Sequence, residues 1–120
     1  MATSLQKQIL REGDNTNYPK KGDIVIMEYT GWLYDPNKPN NRGEQFDSSV
    51  GRGDFKTAIG VKKVIEAIGT GWDEGVPTMS LGEKAVLTIP GAKAYGSTGF
   101  PGLIPPNATL IFEVHLKKIN

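Results

Sequence analysis

At 120 residues the chain can form one hydrophobic core, because a second would leave neither half enough interior to offset its chain entropy. Lys and Arg number 14 against 13 Asp and Glu, so a formal charge of +1 gives no field pointing to nucleic acid or an anionic membrane. The complete lack of cysteine removes disulfides, thiolate zinc sites and any cysteine nucleophile, and fits a reducing compartment.

The N-terminal stretch MATSLQKQILREGDN is polar and has no apolar run of signal-peptide length. Nothing downstream approaches a membrane span, and the closing HLKKIN carries no lipidation motif, so a cytoplasmic protein is expected. Gln6 to Leu10 is a weak strand candidate. Asp23 to Leu33 (DIVIMEYTGWL) is a stronger one, rich in β-branched and aromatic residues. The segment YDPNKPNNRGE then reads as a loop, and Asp54 to Ile59 as another weak strand. Helix is scarce: Val61 to Ile68, closed by Gly69, is the best window, and the stretch after Trp72 is kept brief by Gly75 and Pro77. Lys84 to Ile89 reads as a strand, PGAKAYGSTGFPGLIPPN as a long loop. Finally, Leu110, Phe112, Val114 and Leu116 alternate with Ile111, Glu113, His115 and Lys117, the pattern of a half-buried strand. A single domain over residues 1–120, an antiparallel sheet with little helix, is the expectation, with no internal repeat.

Several catalytic constellations fail on inspection. The single histidine, His115, falls on the strand face opposite Phe112 and Val114, which favours a solvent-facing role over catalysis. No HExxH-type spacing supports zinc, and no Gly-x-Ser-x-Gly elbow supports a serine nucleophile. In Gly69-Thr70-Gly71-Trp72-Asp73-Glu74-Gly75 the third glycine comes one residue late for a dinucleotide loop, and a Trp fills the helix entry. Arg52-Gly53-Asp54 and the sequon Asn107-Ala108-Thr109 mean little in a chain with no secretion signal.

What remains is an aromatic set: Tyr29, Phe46, Phe55, Trp72, Tyr95, Phe100 and Phe112. Any one of them is readily explained as core. Tyr95, Phe100 and Phe46, however, are embedded in loop-like sequence, where a large ring has no obvious strand partner, so some should line a cleft. Asp47 would then be a carboxylate beside an apolar pocket.

These residues fall into blocks that run in order. They are Tyr29-Thr30-Gly31, Phe46-Asp47-Ser48-Ser49, Phe55 with Ile59-Gly60, Val64-Ile65 and Gly71-Trp72-Asp73-Glu74-Gly75, then Met79-Ser80-Leu81-Gly82-Glu83, Ala94-Tyr95-Gly96-Ser97-Thr98-Gly99 and Ile104 to Phe112. Together they resemble the FKBP family of macrolide-binding peptidyl-prolyl cis/trans isomerases over nearly the whole chain from Gly13 onward. The resemblance implies an α+β fold, a five- to six-stranded antiparallel sheet curled around one short helix. It implies a pocket with Trp72 as floor and Tyr29, Phe46, Phe55, Val64, Ile65, Tyr95 and Phe112 as walls. Asp47 would lie within reach of the reacting amide, and Phe100, Leu103 and Ile104 on a flap loop above. It implies no metal or cofactor, Pro-containing peptides and proteins as substrates, and tacrolimus and rapamycin as ligands. The drug complex would present a composite surface to calcineurin or the TOR kinase, and a monomer is the default. The alternative is a non-catalytic module that docks Pro-containing partners through the same pocket.

Two departures from the family pattern stand out. The loop Asp35 to Glu44 is longer by several residues, which a surface tolerates. Glu66-Ala67-Ile68-Gly69-Thr70 separates Ile65 from Gly71 where the family has one residue. Those four extra residues either bulge, or add about one helical turn, or let Ile68-Gly69 slide into the Val-Ile register. Lys93 and Thr57 stand where family members often carry aromatics, which makes the pocket rim more polar.

Overall fold

The computed structural model describes residues 5–51, 53–59, 75–91, 96–97, 99, 102 and 104–120. Among the described residues there are six strands: β1 (Gln6–Arg11), β2 (Ile24–Tyr34), β3 (Arg42–Ser48), β4 (Phe55–Ala58), β5 (Lys84–Ile89) and β6 (Leu110–Ile119). Two single 3-10 turns, Pro39–Asn41 and Val76–Thr78, lie between strands. The expected helix Val61 to Ile68 lies outside the described residues.

All pairings are antiparallel, in the order β1-β5-β6-β2-β3, with β4 also on β2. The eleven-residue β2 organises the sheet. One of its edges pairs with β6 from Val25 to Leu33; the other is shared, β4 taking Ile24 to Met27 and β3 taking Thr30 to Tyr34. Alternation then sorts side chains by face. Val25, Met27 and Tyr29 of β2, Ala85, Leu87 and Ile89 of β5, and Leu110, Phe112, Val114 and Leu116 of β6 are all buried in one cluster, joined by Ile59, Val76, Met79 and Ile104. Those rows form the inner face of the sheet.

The strands read from alternation and β-branched content are present. β5 matches its expected span at both ends, β2 is displaced by one residue, and β6 runs on to Ile119. β3 differs from expectation, since its first residues fall in the segment read as loop and Phe46 sits on a strand. RGEQFDS is poor in strand-favouring residues, and it is pairing with β2 that holds it extended. The loop ahead of it closes by backbone bonds from Asp35 N–H to Asn41 C=O and from Lys38 N–H to Asp35 C=O. Asn40 and Asn41 take positive φ angles of 56° and 60°, a conformation Asn tolerates better than most residues.

Candidate functional site: an aromatic recess with a carboxylate at its edge

Four of the expected site residues meet on the inner face of β2, β3, β4 and β6. Tyr29 meets Phe55 edge-on at 5.7 Å between centroids, and Phe112 at 6.2 Å in a tilted arrangement. Phe46 meets Phe112 in a T-shape at 5.5 Å. The two edge-on pairs direct the positive edge of one ring toward the face of another, the geometry that aromatic quadrupoles favour. Phe112 is fully buried and forms the back of the group, while Phe46 and Phe55 are partly exposed and form its accessible side.

Gly31 makes this convergence possible. A Cβ at that position would lie 2.7 Å from both Phe46 Cζ and Phe112 Cε1, so any side chain would drive the two rings apart. A glycine inside an otherwise aromatic and β-branched strand signals close approach, and here it marks the contact between Phe46 and Phe112.

A bulge in β3 brings the carboxylate to the same face. Gly31 faces Asp47 and Trp32 faces Gln45, so Phe46 is an extra residue without a cross-strand partner. In a regular strand Phe46 and Asp47 would point to opposite faces. With the bulge, the Phe46 ring packs on Phe112 while the Tyr29 hydroxyl donates a 2.8 Å hydrogen bond to Asp47 Oδ2. The backbone N–H of Ser48 donates to Asp47 Oδ1 at 2.8 Å, so both carboxylate oxygens are oriented.

The end of β3 also holds Tyr29. Ser49 N–H donates to the Tyr29 carbonyl at 2.9 Å, and Tyr29 N–H donates to Ser49 Oγ at 2.8 Å. The Ser48 hydroxyl donates to the same carbonyl at 3.2 Å and lies 3.0 Å from Thr30 Oγ1. The sequence reading gave neither serine a role, although two hydroxyl residues directly after a strand-end Asp are a signal for local side-chain to backbone bonding.

Ile104 is buried in the core cluster that contains Tyr29 and Phe112. Its loop is fastened by backbone bonds from Gly96 N–H to Gly91 C=O and from Asn107 N–H to Gly96 C=O. Thr57 pairs with Val25 and so belongs to the inner side of the sheet. Val64, Ile65, Trp72, Tyr95, Phe100 and Leu103 lie outside the described residues, as do the insertion before Gly71 and Lys93.

The outer face of the same strands is polar. Glu113 pairs with Arg42 at 3.2 Å and Lys84 at 3.4 Å; Lys117 pairs with Asp54 at 2.9 Å and Glu28 at 3.9 Å. The Arg42 guanidinium also lies 4.3 Å from the centre of the Trp32 ring. His115 sits in this row with Nε2 3.2 Å from Arg11 Nη2, which requires the neutral ring as acceptor. Burial, then the charges of Arg11, Lys117 and Lys84, lower its pKa against an opposing pull from Glu28. Among the described residues no cluster of His, Asp and Glu is arranged to hold a metal, and no helix is long and apolar enough to cross a membrane.

Comparison with known proteins accounts for this assembly. The sequence profile of the FKBP-type peptidyl-prolyl cis-trans isomerases matches residues 15–117. The chain belongs to that family. It is 56% identical over 116 residues to FK506-binding protein 1B of Aspergillus fumigatus, covering 96% of this chain and 93% of that protein. It is 57% identical over 116 residues to FK506-binding protein 1 of Kluyveromyces lactis, covering 94% and 92%. The Saccharomyces cerevisiae FK506-binding protein 1 is 54% identical over 109 residues, covering 90% and 86%. The six-stranded antiparallel sheet, with very little helix among the described residues, is consistent with the FKBP fold.

Proposed function

We propose that this chain catalyses rotation about X-Pro peptide bonds in the recess built on Tyr29, Phe46, Phe55 and Phe112, with Asp47 at its edge. Convergence of those rings around an oriented carboxylate carries the reading. Rotation faces a barrier of roughly 18–20 kcal/mol because planarity preserves amide resonance. At X-Pro the two isomers are close in energy but exchange over tens to hundreds of seconds, so a catalyst need only favour the twisted amide. Twisting breaks conjugation and lowers charge separation across the amide. A water-poor aromatic recess therefore holds the twisted state better than the planar one. Such a mechanism needs no nucleophile, metal or cofactor.

In this reading the Phe46 and Phe112 rings grip the pyrrolidine, with Trp72 as floor and Val64, Ile65 and Tyr95 completing the walls. Ile65 N–H and the Tyr95 hydroxyl hold substrate carbonyls, and Phe100, Leu103 and Ile104 form the flap. Asp47 acts electrostatically near the twisted carbonyl. The family's blocks in this sequence support each of these roles. The names of the fungal relatives, FK506-binding proteins, support a macrolide such as tacrolimus or rapamycin in the same recess, with calcineurin or the TOR kinase meeting the drug complex. A single-domain, monomeric, cytoplasmic protein acting on Pro-containing peptides and proteins completes the proposal.

Turnover of a short Pro-containing peptide, with and without tacrolimus, tests it. The expected outcome is accelerated isomerisation that the macrolide abolishes, weakened in Asp47→Val. Unchanged turnover in Asp47→Val removes Asp47 from the site. Saturable macrolide binding without turnover makes the chain a docking module, the reading that the insertion before Gly71 favours. Failure of both leaves only the fold.

A further inference from the structure

We propose that Ser49 is a positioning residue for the isomerase site, acting through Tyr29 on the orientation of Asp47; this rests on the functional reading above. The observation is an unusual pairing at the end of β3. In a hydrogen-bonded antiparallel pair, two residues exchange N–H to C=O bonds in both directions. Ser49 and Tyr29 make one half of that exchange normally, Ser49 N–H to Tyr29 C=O at 2.9 Å. In the other half the Ser49 hydroxyl stands in for the carbonyl, receiving Tyr29 N–H at 2.8 Å.

The substitution matters because β3 ends at Ser48 and the chain turns away to Val50. Without the hydroxyl, the buried Tyr29 N–H would lose this acceptor. Ser49 is itself only 4% exposed, so water cannot readily replace it. At the other end of the same residue the Tyr29 hydroxyl donates to Asp47 Oδ2. Tyr29 is thus clamped twice where β3 ends, by its phenol on Asp47 within the strand and by its backbone on Ser49 just past it. Moving either clamp tilts the phenol relative to the carboxylate.

A double-mutant cycle on peptide isomerisation tests this. Ser49→Ala is expected to lower kcat/KM about tenfold, in the range a small misplacement of catalytic groups produces, with most of the loss in kcat. In a Tyr29→Phe background, where the phenol no longer reaches Asp47, Ser49→Ala is expected to cost less than about twofold more. The remote core variant Val25→Ala, which also lowers melting temperature, should leave kcat/KM unchanged. Independent, multiplicative losses would overturn the proposal, as would loss of activity in proportion to melting temperature across all variants. Should Ser49→Ala not fold, amide hydrogen exchange in the wild-type protein decides. Protection of Tyr29 N–H equal to that of its strand neighbour Met27 is expected, and exchange at the rate of an exposed amide overturns the clamp. A wild-type chain with no turnover sinks the functional reading together with this role. An active wild type with multiplicative losses sinks the Ser49 role alone.

Discussion

The inner and outer faces of β2 and β6 differ by a single step along the chain. Phe112 is fully buried against Tyr29 and Phe46, while its neighbour Glu113 reaches the half-exposed Arg42 and Lys84. On the inner face, rings interlock at fixed angles around a glycine that admits no added atom. The outer face carries, beside the buried Ile111, ion pairs between flexible side chains that water and salt screen. The contrast places the rigidity of the recess in shape: the inner face is held by packing and by the serine clamps, and the outer face keeps the sheet hydrated.

Paired substitutions at Phe112 and Glu113 should break that contrast most sharply. Phe112→Ala empties the back of the recess and is expected to cost about 3–5 kcal/mol, the usual range for a buried ring. Glu113→Ala removes two partly exposed ion pairs and should cost about 1 kcal/mol or less. Urea unfolding at constant m-value measures both. Near-equal losses would mean that the outer network is a larger support than its exposure implies.

Gly31→Ala is expected to act next in size. Its methyl would meet Phe46 and Phe112 at 2.7 Å, and overpacking of this kind costs about 1–3 kcal/mol. Phe46, at the partly exposed side, is the ring free to yield, so turnover should fall by more than stability does. A variant as active as wild type would show that the recess reshapes at little cost.

These positions also show what the sequence could carry. β6 was legible because its alternation is continuous and one face is apolar throughout. Even so, Ile111 is buried on the face read as outward, where it lies between Thr88 and Trp32 in the paired strands. β3 was not legible, because RGEQFDS takes its extended form from β2. The bulge hid the most informative feature: adjacent Phe46 and Asp47 serve one face, which no period-two reading allows. Asp47 was therefore reached through the resemblance to FKBP proteins and through its aromatic neighbour. Ser49 was reached by neither, since its role depends on where a strand stops.

His115 should give the smallest effect, confined to the outer face. The unfolded chain takes up a proton there near the ordinary value of 6.5, whereas the folded chain resists it. Between that value and the lowered one, the unfolded state binds more protons, so stability rises with pH and is lost as pH falls through the window. Because His115 is only partly buried, the loss should be only on the order of a few tenths of a kcal/mol after screening. His115→Gln should flatten the dependence as pH falls through and below about 6.5, leaving turnover on the opposite face unchanged. Burial outranks Arg11, Lys117 and Lys84 among the causes. About 1 M salt, which shortens the screening length to roughly 3 Å, should therefore reduce the dependence without removing it. Complete loss in salt would assign the effect to those cations alone.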